Sequence, residues 1–306
     1  MKHTRRLFAL LLALCMVLAL ACTAFAAEGP TVTYGQEPGA VLFAAGESDV
    51  LDENNGIFTK ESLDAVSAAY AAYLTAEAGS AAEAAALEQF RTALYALQFV
   101  PNTFTDTQSG WYVPAVNFVQ AAGIMDGVGN NIFNPGGTMT RAMAVTVLYR
   151  YFCDDSGSVM LPFTDVPADT WYSEAVAWAY ANDIVKGTTP TTFSPGAPVT
   201  REQMATLLAR IDADSLPEYT SLSAEDRQYV DNDLASIYKD YASISAYARP
   251  AVRYCYIWTY MQGNPDGTFS PGANMTRAQC AQMLKNFFIV DLAYRFGFYP
   301  NTTPAG

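Results

Sequence analysis

Phe193-Ser194-Pro195-Gly196-Ala197-Pro198-Val199-Thr200-Arg201-Glu202-Gln203 decides the fold, because it occurs three times. Phe133-Asn134-Pro135-Gly136 leads to Thr140-Arg141, and Phe269-Ser270-Pro271-Gly272 leads to Thr276-Arg277, with seven positions from Phe to Thr in every copy. Gly127, Gly187 and Gly263 each stand six positions before their Phe, and Trp111, Trp171 and Tyr247 sixteen before their Gly. Three copies of one spaced pattern specify a repeat architecture.

The spacing also gives each copy a shape. Behind each aromatic, apolar residues recur at i, i+3, i+4 and i+7: Tyr112, Ala115, Val116, Val119; Tyr172, Ala175, Val176, Ala179; Ala248, Ala251, Val252, Cys255. That is one buried stripe on a short helix. The glycines are expected at the helix exit, where a residue without Cβ turns left-handed. Thr140, Thr200 and Thr276 are expected to cap a second helix. Gln203 and Gln279 sit three residues on, as a capping box requires, whereas Met143 does not. A second stripe follows in each copy, beginning at Ala144, Met204 and Cys280. Each copy therefore reads helix, tight loop, helix.

The pattern Phe-x-Asp, Trp-Tyr, Ala-Val, Gly, Phe-x-Pro, Thr-Arg resembles the S-layer homology (SLH) repeat. It runs Phe104-Thr105-Asp106, Trp111-Tyr112, Thr140-Arg141, then Phe163-Thr164-Asp165, Trp171-Tyr172, Thr200-Arg201; the third copy has Tyr238-Lys239-Asp240 and Tyr247 in those places. The resemblance implies a mainly α fold, with the three helix-loop-helix repeats in a pseudo-threefold module. It implies non-covalent binding of anionic, pyruvylated secondary cell-wall polysaccharide in the grooves between repeats. Its implied contacts are Arg141, Arg201 and Arg277 with Trp111, Trp171 and Tyr247, beside loops shaped by Gly127, Gly187 and Gly263. No copy keeps the Glu of the family's Thr-Arg-Ala-Glu; Met143, Gln203 and Gln279 replace it.

The rest of the 306 residues divides around the repeats. Residues 1–26 read as an export signal, with a basic start, an apolar run and Ala24-Phe25-Ala26 at its end. Residues 27–58 are an irregular lead-in with room for one or two strands. Residues 59–100 are an Ala-rich α-helical hairpin opening at Thr59 as N-cap, similar to FIVAR-type spacers in its Thr-x-Glu-Ser-Leu start and helix lengths. Repeat 1 occupies 101–154, repeat 2 160–212 and repeat 3 240–290. An acidic insertion at 213–239 contains a helix from Ala224 to Tyr238, and an aromatic tail fills 291–306.

Composition narrows the chemistry. Seventeen Lys plus Arg face 30 Asp plus Glu, a net charge of −13. Such a chain is repelled by nucleic acid and by anionic membranes, and nothing beyond the signal is apolar enough to span a bilayer. The single histidine is His3, so residues after the signal hold no histidine base and no histidine-containing zinc site. Gly263-Asn264-Pro265-Asp266-Gly267 lacks the carboxylates of a calcium loop and reads as a turn. No metal or cofactor is expected. Cys153, Cys255 and Cys280 are odd in number and read as buried free thiols. An enzyme acting through Glu225 and Asp226 of the insertion is the weakest alternative. A self-assembling coat component with lattice contacts in 27–100 is the stronger one.

One feature stays open at the level of residues. Arg141, Arg201 and Arg277 sit in the first helical turn, where a cation opposes the macrodipole by a few tenths of a kcal/mol. Either each ties its repeat together through a carbonyl or through Asp106, Asp165 or Asp240, or each recognises a carboxylate. The aromatics are equally divided between sugar platforms and core anchors.

Overall fold

The computed structural model describes residues 31–34, 51, 56–153, 157–212, 216–296 and 298. The expected export signal and most of the lead-in lie outside the described residues, as do positions 299–306. Strand β1 (Thr31–Tyr34) comes first, then helices α1 (Lys60–Thr75) and α2 (Ala81–Tyr95). Repeat 1 supplies α3 (Val113–Ala121) and α4 (Arg141–Phe152); strand β2 (Gly157–Met160) follows. Repeat 2 supplies α5 (Ser173–Ala181) and α6 (Arg201–Asp212), the insertion α7 (Ala224–Ile237), and repeat 3 α8 (Arg249–Ile257) and α9 (Arg277–Arg295). The fold is mainly α, as the apolar periods require.

The helices of one repeat do not chiefly pack on each other. α4 packs on α5 of the next repeat, α6 on α8, and α9 returns to α3, closing a ring of three. The loop residues Met139, Val199 and Met275 lie on its axis, all buried. Their peptides form a cyclic triangle: Met139 donates to Met275 at 2.8 Å, Met275 to Val199 at 2.9 Å, and Val199 to Met139 at 3.0 Å. Each link joins different repeats, so the pseudo-threefold is written into backbone hydrogen bonds.

Local chemistry sets the helix starts. Thr140, Thr200 and Thr276 each accept a hydrogen bond from the backbone N–H three residues on. Gln203 and Gln279 return bonds to the Thr200 and Thr276 N–H groups at 3.0 and 3.1 Å, completing capping boxes in repeats 2 and 3. Thr59 stands at the start of α1 without capping it, because its hydroxyl is turned to the Ser62 Oγ, 3.0 Å away.

The glycine expectation needs correction. Gly127, Gly187 and Gly263 do not adopt positive φ; the left-handed residues at the helix exits are Gly123, Asp183 and Thr259, four positions earlier. The later glycines are required by space instead. A Cβ on Gly127 would sit 2.7 Å from both the Ile132 carbonyl and the Phe104 ring, and Gly187 and Gly263 are equally tight against Phe163 and Tyr238. Each glycine lets the Phe-x-Asp aromatic (Tyr238 in repeat 3) seal the loop.

The hairpin is welded to the repeats. Phe99 stacks against Phe58 at 5.3 Å between ring centres and meets Phe118 of α3 at 5.0 Å. Phe118 stacks on Phe288 of α9 at 4.8 Å. Phe90 of α2 holds Phe296 edge-on at 5.1 Å. This is why α9 runs past residue 290, where repeat 3 was expected to end: the hairpin supplies the surface that buries Leu292, Ala293 and Phe298. β1 pairs antiparallel with β2, Thr31 opposite Met160, so the lead-in is tied to the linker between repeats 1 and 2. In the insertion, Ser223 caps α7 and the acids face repeat 3: Asp231 pairs with Arg249 at 3.0 Å and Asp233 with Arg253 at 2.5 Å. Cys153, Cys255 and Cys280 are buried and unbridged.

Candidate functional site

The motif Asp and the motif Arg do not pair. Asp106 accepts from the Phe133 and Asn134 N–H groups at 2.8 and 2.7 Å, Asp165 from Phe193 and Ser194, and Asp240 from Phe269 and Ser270. Each carboxylate therefore clamps the Phe-x-Pro-Gly loop of its own repeat.

Each Arg reaches across to a neighbour. Arg277 Nε donates to the Phe133 carbonyl at 2.7 Å and Nη2 to the Asp126 carbonyl at 2.5 Å. Arg141 does the same to Phe193 and Lys186 at 2.8 and 3.0 Å, and Arg201 to Phe269 and Gln262 at 2.7 and 3.1 Å. The guanidinium carbons lie 4.5, 4.6 and 4.8 Å above the rings of Phe133, Phe193 and Phe269, a geometry in which the ring face attracts the cation. A chain of contacts thus runs from Asp106 through the Phe133 peptide to Arg277, and likewise round the ring. Burial pulls the guanidinium pKa of all three below its usual value. Within-repeat pairing with the Asp is corrected: the partners are carbonyls of the next repeat.

The helix N-termini are occupied as well. The Arg141 and Ala142 N–H groups donate to the Ala197 and Pro195 carbonyls at 2.8 and 3.0 Å, and the pattern repeats from Arg201 to Ala273 and from Arg277 to Gly137. Donors that would otherwise attract an anion are spent on closing the ring.

The aromatics are on the surface, which removes their reading as core anchors. Trp111 is 61% exposed, Trp171 65% and Tyr247 51%. Their chain neighbours Tyr112, Tyr172 and Ala248 face inward instead. Trp171 and Arg277 line one inter-repeat groove of about 570 Å³ with Gly127, Met125, Met143 and Arg150. Tyr247 and Arg141 line the equivalent groove between repeats 2 and 3, about 180 Å³, with Lys186, Gln203, Thr206 and Arg210. In the repeat register, Trp111 and Arg201 are the counterparts of these pairs. The structure therefore brings two of the motif aromatics, Trp171 and Tyr247, together with the Arg of a different repeat, across distances no spacing rule gives.

The structure adds groups the sequence reading passed over. Arg150 pairs with Asp126 at 2.8 Å on the rim of the first groove. Glu202 accepts from the Ser245 N–H and Oγ at 2.9 and 2.8 Å and from the Tyr247 hydroxyl at 3.4 Å. Burial first, then the Glu202 charge, push the Tyr247 phenol up to about 12. Laying the copies over one another places Asp126, Lys186 and Gln262 together, and Arg150, Arg210 and Asn286; that comparison was the available signal.

Comparison with known proteins identifies the repeats. The S-layer homology domain profile matches residues 103–144, 162–205 and 237–281. The chain carries three SLH domains. Over 182 residues, 59% of this chain, it is 32% identical to an endoglucanase of Bacillus sp. (strain KSM-635), covering 18% of that protein. It is 36% identical over 116 residues, 38% of this chain, to the surface-layer 125 kDa protein of Lysinibacillus sphaericus, covering 10% of it. It is 29% identical over 113 residues, 36% of this chain, to an S-layer protein of Bacillus thuringiensis subsp. finitimus, covering 14% of it. The shared stretch thus spans less than a fifth of each of these relatives, and the enzyme-named match lies in the SLH region, so it carries no catalytic assignment. The SLH domains and the surface-protein relatives point to anchoring at the cell wall on the cell surface. Among the described residues no helix is long and apolar enough to cross a membrane.

Proposed function

We propose that this protein is exported and holds itself non-covalently to the cell wall by gripping an anionic, pyruvylated secondary wall polysaccharide in the grooves between its SLH domains. Binding, with no bond made or broken, is the whole of the proposed activity. The observation that carries the reading is the exposure of Trp171 and Tyr247 in grooves that also hold Arg277 and Arg141, with Trp111 equally exposed. An exposed aromatic face beside a partly desolvated guanidinium suits a ligand with one flat apolar side and one negative group. The arginines also hold neighbouring repeats together, so the same residue builds the groove and supplies its charge. Co-sedimentation of the signal-free protein with purified sacculi tests the reading, before and after chemical removal of the acidic polysaccharide. Binding that persists unchanged on stripped sacculi refutes it.

A second reading is favoured by Leu74, Tyr95 and Val100 on the hairpin side, which are 63%, 45% and 38% exposed. It makes the chain a coat component that self-associates through the hairpin segment. Ordered sheets formed by the purified protein without wall material would favour it.

A further inference from the structure

The three junctions share one plan but differ in charge. In the first groove Arg150 is neutralised by Asp126, and most of the surrounding lining is apolar: Met125, Val128, Met143 and Val147. At the third junction the corresponding positions are Gln262 and Asn286, both uncharged. In the second groove Lys186 takes the place of Asp126, and Arg210 the place of Arg150. Among the described residues neither Lys186 nor Arg210 forms an ion pair; Arg210 Nη1 donates only to the Ile184 carbonyl at 2.9 Å. Arg141 adds a third cation, and it is the most open of the three motif arginines: Arg201 and Arg277 are each 6% exposed, whereas Arg141 is half-buried. Two carboxylates lie close by without an ion pair to these cations: Glu202, which accepts from Ser245 and Tyr247 and holds the Tyr247 ring at the groove, and Asp165, which clamps the Phe193 loop and acts on Arg141 from a distance. On a chain of net charge −13, three unpaired cations in one cleft are a focused exception to the field of the whole.

We propose that the groove between repeats 2 and 3 is the principal anion site of this module, with Arg141, Lys186 and Arg210 gripping the negative substituent of a sugar that lies against Tyr247. This rests on the wall-binding reading and assigns it to one groove. The lining chemistry takes either a carboxylate or a phosphate, since a guanidinium forks onto both. Glu202 is a positioning residue for Tyr247.

The test is co-sedimentation with purified sacculi, each variant first checked for an unchanged urea midpoint. Lys186→Asp gives Arg210 the ion pair that Arg150 already has, and should weaken binding at least tenfold and flatten its salt dependence. Arg210→Gln should weaken it several-fold. Arg91→Gln, on an exposed turn of the hairpin where the arginine pairs with Glu88, should leave binding within twofold of wild type. Tyr247→Ala, which removes the ring and no charge, should cost several-fold in affinity without changing the salt slope, and Glu202→Gln should cost part of that and nothing further when combined with it. Competition by a carboxylated oligosaccharide or by a poly(glycerol phosphate) tells which anion is recognised; equal competition by neutral dextran overturns the proposal. Wild-type binding with Lys186→Asp unaltered overturns the groove assignment alone. Wild type that fails to bind intact sacculi takes the wall-binding reading down with it.

Discussion

Replacing Arg277 by Ala should open the ring at its longest-range join. The Arg277–Phe133 hydrogen bond links residues 144 positions apart, against 52 for Arg141–Phe193 and 68 for Arg201–Phe269. Truncation removes two charge-assisted hydrogen bonds, each worth roughly 1.5–3 kcal/mol, and strands the Phe133 carbonyl in a buried setting at about 1–3 kcal/mol. It also removes a cation over the Phe133 ring, about 0.5–2 kcal/mol. Against this stands relief of the desolvation that burial imposes on the guanidinium. The Asp126 carbonyl, on an exposed residue, is expected to be re-hydrated by water. These terms overlap and do not add, so the expected net loss is about 3 kcal/mol. Arg277→Lys keeps the charge but, as a point donor, should hold one of the two carbonyls, losing about 1–2 kcal/mol. Equilibrium urea unfolding followed by tryptophan fluorescence reads both values, and amide exchange should show α3 and α9 losing protection first. A loss below about 1 kcal/mol in Arg277→Ala would refute the closure argument and leave the arginine as a ligand group only.

Further predictions rest on other contacts. Gly187→Ala forces a Cβ against the backbone carbonyls of Thr189 and Thr192; it should cost at least about 2 kcal/mol. Gly196→Ala, whose Cβ would meet nothing within 4 Å, should be neutral in the same urea titration. Phe99→Ala removes a buried ring shared by hairpin and repeats, and should cost about 3–5 kcal/mol while keeping one cooperative transition by circular dichroism and by fluorescence. Two separate transitions would show that the hairpin is an independent domain. Burial pushes the Cys280 thiol from an ordinary value of 9.0 up to about 12. The folded state therefore holds this proton more tightly than the unfolded one. Its contribution is complete below about pH 9 and is lost as pH rises toward 12, at about 1.4 kcal/mol per pH unit. Cys280→Ala should make stability less steep over that window, and the native thiol should resist a disulfide reagent until the protein is denatured.

Much of the fold was legible because it is local. A helix needs a cap and an apolar stripe, and Thr276, Gln279, Cys280 and Met283 supply both within eight positions. The third repeat could be read through the loss of its Trp because the Gly263-to-Phe269 and Phe269-to-Thr276 spacings survive. The glycine role was misread because steric exclusion by a ring 20-odd residues upstream leaves no mark that distinguishes it from a left-handed turn. The arginines were undecidable for a related reason: their acceptors are main-chain carbonyls, which every residue has, and which no side-chain pattern advertises.

The sequence by itself determined three helix-loop-helix copies, the caps of their second helices, the confinement of histidine to position 3 and the aromatic and Arg positions of each motif. Only the tertiary structure decided that each second helix packs on the following repeat, that the helix N-termini are consumed in closing a ring in which the arginines take part, and that the hairpin shares the core. It alone placed Lys186 and Arg210 with Arg141 and Tyr247 in one groove. Periodicity states which face of a helix is buried, but not against what. The partners here lie tens of residues to nearly half the chain away, where chain connectivity imposes almost no preference and packing makes the choice.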